Sequence, residues 1–128
     1  MNLLLDTCTF LWAIQSPDQL SARARSLIVD PDNAVYFSAV SAWEISVKAG
    51  YGALRFSEPV AQALPHYREQ HDFSSLPLDE ESVLQLPKLP TPHRDPFDRM
   101  LVCQAVAHGL VIVTPDEKIA QYPVRVDW

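Results

Sequence analysis

The segment N-L-L-L-D-T-C-T-F-L-W-A-I-Q, Asn2–Gln15, changes its period in the middle. Leu3, Leu4 and Leu5 form a continuous apolar run, which predicts a strand over Asn2–Leu5 buried on both faces. Asp6 ends it, and Thr7–Gln15 then carries Phe10, Leu11 and Ile14 at helical spacing. A buried strand passing straight into a helix is the repeating unit of an α/β fold. A charged residue at that junction lies at the carboxyl edge of the sheet, where open α/β sheets bind ligands.

Outward from this unit the alternation continues. Ser16-Pro17-Asp18 breaks the first helix, and Ser21–Val29 reads as a second with Ser21 as N-cap. After the turn Pro31-Asp32-Asn33, Ala34–Ser38 reads as a strand. Ser41–Ala49 reads as a helix opening on the capping box S-A-W-E and stopped by Gly50 or Gly52. Pro59–His71 is helical with an interruption at Pro65, Phe73–Leu78 is a short third strand, and Asp79–Leu86 is a short helix capped by Asp79. Pro87 to Pro92 reads as an extended loop. Asp95-Pro96 then starts a firm helix with Phe97, Leu101, Ala105 and His108 on one face and Gly109 at its end. Leu110–Thr114 is a strand, Pro115-Asp116 leads into a short helix, and Val124–Val126 forms an edge strand. The pattern predicts an α/β fold with a mainly parallel sheet covered on both faces, in one domain over residues 1–128.

The chain has 128 residues, 48% of them apolar, enough for one buried core. Its apolar runs, Leu3–Leu5 and Leu110–Val113, fall far short of the roughly 18 residues of a membrane span. Met1-Asn2-Leu3 has no basic n-region, so no signal peptide is expected. Cys8 and Cys103 form no C-x-x-C pair, which fits a reducing, cytoplasmic setting without disulfide or cysteine-zinc framework. A net charge of −6 argues against holding nucleic acid by bulk electrostatics. Bound divalent cations would reverse that sign locally, so the grouping of the acids decides.

By this reading Asp6 and Asp116 lie past the ends of strands and Glu44 is in the first turns of the helix after the second strand. Asp98 is in the first turn of the helix from Asp95-Pro96, and spacing alone does not bring it to the same edge. Each acid also has a plain local explanation. Capping accounts for Asp95, and Glu44 is placed to pair with Lys48 at i+4. Only the joint arrangement favours chemistry. Two unit charges 4 Å apart repel by roughly 4 kcal/mol at an effective dielectric of 20. Converging carboxylates are tolerable where they hold Mg²⁺ or Mn²⁺, which prefer oxygen ligands.

The joint arrangement resembles the PIN domain, and within it toxins of the VapC type. L-L-L-D-T (Leu3–Thr7), S-A-W-E-I-S-V-K (Ser41–Lys48), H-R-D-P-F-D-R-M-L-V-C-Q-A (His93–Ala105) and V-I-V-T-P-D (Val111–Asp116) are similar to its successive motifs in order and spacing, with Pro115 where small residues are usual. The resemblance implies a three-layer α/β/α sandwich around a parallel sheet of about five strands. It implies a Mg²⁺- or Mn²⁺-dependent endoribonuclease with an RNA substrate, paired with a VapB-like antitoxin. Asp6, Glu44, Asp98 and Asp116 would be the catalytic and metal-binding acids, with Asp95 and Thr114 in support. Arg94, Arg99 and Lys48 are candidates for phosphate contact, weighed against ion pairs or solvated positions.

The same resemblance suggests a homodimer, and so do Trp12, Tyr51, Leu54 and Phe56, which strain the room in so small a core. Trp43 and Phe97 read as core residues, as does Trp12 in the main, and Cys8 as a small buried one. His66, His71, His93 and His108 lack paired ligand spacing, and only His93 stands beside the acids. Rival readings are a receiver-like domain, which would need a phosphoacceptor Asp ending the middle strand, and a non-catalytic PIN-like interaction module. A DNA-directed nuclease of the same architecture would need more chain for its DNA-binding elements.

Overall fold

A computed structural model describes all residues, Met1–Trp128. Five strands and six α-helices follow one another as β1 (Asn2–Leu5), α1 (Thr7–Gln15), α2 (Ala22–Val29), β2 (Ala34–Ser38), α3 (Ala39–Gly50), α4 (Val60–Gln70), β3 (Ser74–Leu76), α5 (Glu80–Val83), α6 (Pro96–His108), β4 (Val111–Val113) and β5 (Val126–Asp127). Short 3₁₀ turns occupy Pro17–Gln19, Leu86–Lys88 and Ile119–Gln121. All strands are parallel, in the order β3-β2-β1-β4-β5. The central strand β1 pairs through Leu3 with Val35 on one side and Val111 on the other. A receiver domain has its third strand beside its first, so this order excludes that reading.

The triple leucine explains the layering. Successive side chains of a strand point to opposite faces. Leu3 and Leu5 enter a core with Phe10 of α1, Ala24 and Leu27 of α2, Ile45 of α3 and Leu64 of α4. Leu4 enters a second core with Leu101, Val102 and Ala105 of α6, Ile112 and Ile119. All three leucines are fully buried, which is possible only with helices on both sides of the sheet. Phe10 stacks on Phe37 at 3.9 Å between ring centroids and fastens α1 to β2.

Several boundaries depart from the sequence reading. The cap of α3 is Ser38, whose Oγ accepts from the Val40 amide at 2.9 Å. Ser41 therefore lies inside the helix, fully buried, and caps nothing. Strand β2 hands over to α3 without a loop, which starts the helix earlier than the S-A-W-E pattern implies. Pro65 sits within α4 without ending it. Leu86–Lys88 folds into a 3₁₀ turn where an extended loop was expected. The last strand is Val126–Asp127, because the Arg125 and Asp127 carbonyls, not those nearer Val124, accept from the Ile112 and Thr114 amides. Trp43 is 52% exposed instead of buried, with Phe97 half-buried against it at 4.6 Å. Trp12 packs on Trp128, and Leu54 and Phe56 lie against the first core. Of the residues expected to lack room, Tyr51 is the one left standing in solvent. No helix is long and apolar enough to cross a membrane.

Gln104 of α6 is a fully buried polar residue that ties three segments. Its Oε1 accepts from Ser38 Oγ at the end of β2, and its Nε2 donates to the Pro77 carbonyl at 3.2 Å. Ser38→Ala removes a helix cap and also leaves that buried amide oxygen unpaired, so a loss of about 2–4 kcal/mol is expected. Ser21→Ala removes only the cap of α2, where Ser21 Oγ accepts from the Ala24 amide, and is expected to cost about 1 kcal/mol. Urea unfolding of the two variants checks the difference, and equal losses would show that the buried link contributes nothing.

Candidate active site

At the carboxyl edge of β1 and β4, Asp6, Glu44, Asp95, Asp98 and Asp116 line one pocket of about 300 Å³ together with Lys48. A larger apolar hollow of about 460 Å³ between α3 and α4 carries one ionisable side chain, Arg68, so the acidic pocket is the better candidate for chemistry.

Asp6 is the deepest of the acids, 4% exposed. It caps α1, its Oδ1 accepting from the Thr9 amide at 2.8 Å, while Oδ2 accepts from Thr114 Oγ1 at 2.6 Å. Burial raises its pKa above the usual carboxylate range, against the lowering effect of these bonds, and the Asp116 charge adds to the rise. Thr114 Oγ1 in turn accepts from the Asp116 amide at 3.0 Å, so one hydroxyl joins the end of β1 to the loop after β4. Asp116 Oδ1 accepts from the Lys118 amide at 2.9 Å and steadies that loop. Thr7 Oγ1 donates to Ser41 Oγ at 2.9 Å and joins α1 to α3 beneath the pocket.

Glu44 is buried and ion-paired with Lys48 one turn along α3, the pairing its spacing allows. Asp95 caps α6, accepting from the Phe97 and Asp98 amides at 2.9 and 3.1 Å, and faces the pocket as well. Asp98, 18% exposed at its side chain, accepts from His93 Nε2 at 3.1 Å. Burial pushes its pKa up to about 6, opposed by the His93 bond and reinforced by the charges of Asp95, Asp116 and Asp6.

The basic candidates separate. Lys48 reaches the pocket. Arg99 turns away from it, donating through Nη1 to the Pro90 carbonyl at 2.9 Å and to the Tyr122 hydroxyl at 3.0 Å. Arg94 is exposed. Cys8 is exposed and lines the pocket, contrary to the buried position expected for it, because α1 turns that side of its first turn outward. Tyr122 was missed. It lies 29 residues from His93, whose Nδ1 it meets at 2.8 Å, and no local pattern marks it.

No three His, Cys, Asp or Glu side chains stand close enough together to hold a metal ion. The carboxylates are engaged instead in caps, in the Lys48 pair and in the His93 bond. The donors facing the pocket are mainly carboxylate oxygens, which suits hard divalent cations.

A carboxyl whose pKa is raised on folding stabilises the fold at low pH and loses that contribution as the pH rises through the folded value. For Asp98 the loss runs from roughly pH 4 to about 6. Asp98→Asn is therefore expected to stabilise the metal-free protein by about 1–3 kcal/mol at pH 8 and by nothing below pH 4. Thermal unfolding in EDTA at both pH values checks it. A gain that does not vanish in acid would deny the carboxylate origin.

Comparison with known proteins agrees with the geometry. No curated protein sequence matches the chain. Among solved structures, the fold is similar to VapBC2 of Rickettsia felis bound to a DNA fragment from its promoter, with a TM-score of 0.71 and 15% identity over 100% of this chain and 99% of that one. It is also similar to VapBC-5 of Mycobacterium tuberculosis, a toxin–antitoxin system, with a TM-score of 0.59 and 21% identity over 98% and 95% of the two chains. FitAcB of Neisseria gonorrhoeae gives a TM-score of 0.54 and 18% identity over 97% and 95%. The family model of the PIN domain matches residues 3–124, from the first buried leucine to the approach of the last strand. With its sheet order, its edge of carboxylates and nearly its whole length accounted for by that match, the chain belongs to the PIN domain family.

Proposed function

We propose that this chain is a metal-dependent endoribonuclease and the toxin, of VapC type, in a toxin–antitoxin pair, working in the cytoplasm as one nuclease domain over residues 1–128. The observation that carries the reading is the gathering of Asp6, Glu44, Asp95, Asp98 and Asp116 around one pocket at the carboxyl edge of a PIN fold. Asp6, Glu44, Asp98 and Asp116 would hold Mg²⁺ or Mn²⁺. Such an ion, held by those residues, would supply an activated water and offset charge on a phosphodiester.

This chain's own residues do the rest. Thr114 holds the Asp6 carboxylate in place, and Asp95 fixes the first turn of the helix that carries Asp98. Lys48 neutralises Glu44 until a cation or an RNA phosphate arrives. Its ammonium and the exposed Arg94 are the groups free to meet phosphate, whereas Arg99 serves the fold. No nucleophilic side chain is required when water attacks, and Cys8 supplies none: though the residue is exposed overall, partial desolvation of its sulfur beside the pocket and the Asp6 charge push its thiol up to about 11.

The partners follow from the same chemistry and from the toxin–antitoxin systems among the similar structures. A VapB-like antitoxin would inhibit by placing an Arg or Lys among the acids, because a guanidinium pairs with carboxylates and keeps its charge. A homodimer would cover exposed aromatic surface such as Tyr51 and Trp43. No membrane partner is invoked.

The test is cleavage of a pool of cellular RNA. Wild type is expected to cleave with Mn²⁺ or Mg²⁺ and to stop in EDTA. Asp6→Asn and Asp116→Asn are expected to lose about a thousandfold or more in rate while keeping the wild-type circular dichroism. A metal-loaded wild type that cleaves no RNA yet binds its partner would replace the nuclease with a non-catalytic interaction module. Antitoxin titrations with wild type and Asp98→Asn test the inhibition: affinity indifferent both to the substitution and to Mg²⁺ would place the block outside the acidic pocket.

A further inference from the structure

We infer that His93 is a positioning residue for Asp98, and that Tyr122 fixes the tautomer in which His93 does this. The inference rests on the reading of Asp98 as a ligand of the divalent cation. His93 Nε2 meets Asp98 Oδ2 at 3.1 Å, and His93 Nδ1 meets the Tyr122 hydroxyl at 2.8 Å. Neither ring is loose: the His93 side chain is 11% exposed and Tyr122 is 3% exposed, their rings edge to face at 5.4 Å.

The direction of the protons follows from the donors. Arg99 Nη1 can only donate, and it takes one lone pair of the Tyr122 oxygen at 3.0 Å. The single phenolic hydrogen then goes either to His93 Nδ1 at 2.8 Å or to the His93 carbonyl at 3.3 Å. The choice is made at the other nitrogen: Nε2 faces the ionised Asp98 carboxylate, which can only accept, so Nε2 carries the ring's hydrogen and in the neutral ring Nδ1 is the acceptor that the Tyr122 hydroxyl meets. The chain of donors runs Arg99 to Tyr122, Tyr122 to His93, and His93 to Asp98, with each partner satisfied.

The bond occupies one lone pair of Oδ2, restrains rotation of the carboxylate, and leaves Oδ1 for a cation. It also couples segments. His93 lies on the stretch before α6, and Asp98 lies in the first turn of that helix. Tyr122 closes the 3₁₀ turn Ile119–Gln121, a few residues beyond Asp116, and its ring belongs to the second core. The loop with one acid and the helix with another are thereby set relative to each other. Groups that hold the ligands of a metal in this way typically change metal affinity 10–100-fold when removed.

The experiment is titration of the metal-free protein with Mn²⁺, following the free aquo ion by electron paramagnetic resonance, for wild type, His93→Ala, His93→Gln and Tyr122→Phe. His93→Ala is expected to bind Mn²⁺ about 10-fold more weakly. His93→Gln, whose amide can still donate to Asp98 and accept from Tyr122, is expected to stay close to wild type. Tyr122→Phe, which frees the tautomer but keeps the ring, falls between them. RNA cleavage lost in His93→Ala should recover in large part as Mn²⁺ is raised. A purely structural role predicts lowered thermal stability without the rescue by Gln. Wild-type affinity in His93→Ala, or equal weakness of folded His93→Gln and His93→Ala, overturns the inference while the metal reading stands. A wild type that binds no Mn²⁺ overturns both. Should His93→Ala fail to fold, His93→Gln and Tyr122→Phe still decide, since the inference requires near-wild-type affinity in the first and weakened affinity in the second.

Discussion

A carboxylate almost entirely removed from water, at the end of the central strand, sets the terms for the rest of this molecule. Asp6 keeps its place because two donors reach it, the Thr9 amide at the start of α1 and the Thr114 hydroxyl at the end of β4. Burial disfavours its charge and the bonds restore part of the loss. Further acids around the same pocket make charge the dominant local problem. Lys48 answers it in part by pairing with Glu44, which still leaves the pocket acidic on balance.

The parallel sheet is what brings these groups together. When every strand runs the same way and the helices return across its faces, strands end and helices begin at one edge. Asp6 caps α1, Ser38 caps α3 and Asp95 caps α6, all at that edge. Helix N-termini carry partial positive charge from unpaired amides, so they suit the acids that gather there. Asp95 shows that capping and service to the pocket are not rival explanations: the same carboxylate closes the first turn of α6 and faces the pocket. The α/β crossover therefore unites secondary structure, packing and the site in one arrangement.

Arg99 and Tyr122 show a different use of polar groups. The guanidinium that the motif offers for phosphate is spent on a carbonyl and a phenol, with its carbon 5.7 Å from the centre of the Tyr122 ring. It reaches the Tyr122 hydroxyl, which meets His93, and does not itself line the pocket. Gln104 plays a comparable structural part, satisfied on both ends in a core that would otherwise be apolar. Buried polar groups of this kind remain acceptable only while every partner is present.

The sequence alone determined the element types and their alternation, because strand and helix differ in period and because Leu3–Leu5, Asp95-Pro96 and Gly109 are strong local signals. The acids of the pocket were also legible, since they stand at element junctions and in motifs. Less legible were boundaries such as the cap of α3: Ser38 and Ser41 offer the same chemistry, and only the direct passage of β2 into α3 chooses between them. Trp43 could not be separated from the core by its hydrophobicity, and its exposure depends on what α6 leaves uncovered. The convergence of Asp98 with Asp6, and the meeting of His93 with Tyr122, belong to the tertiary structure alone. They join residues far apart along the chain through strand order and helix return, and local spacing carries no information about either.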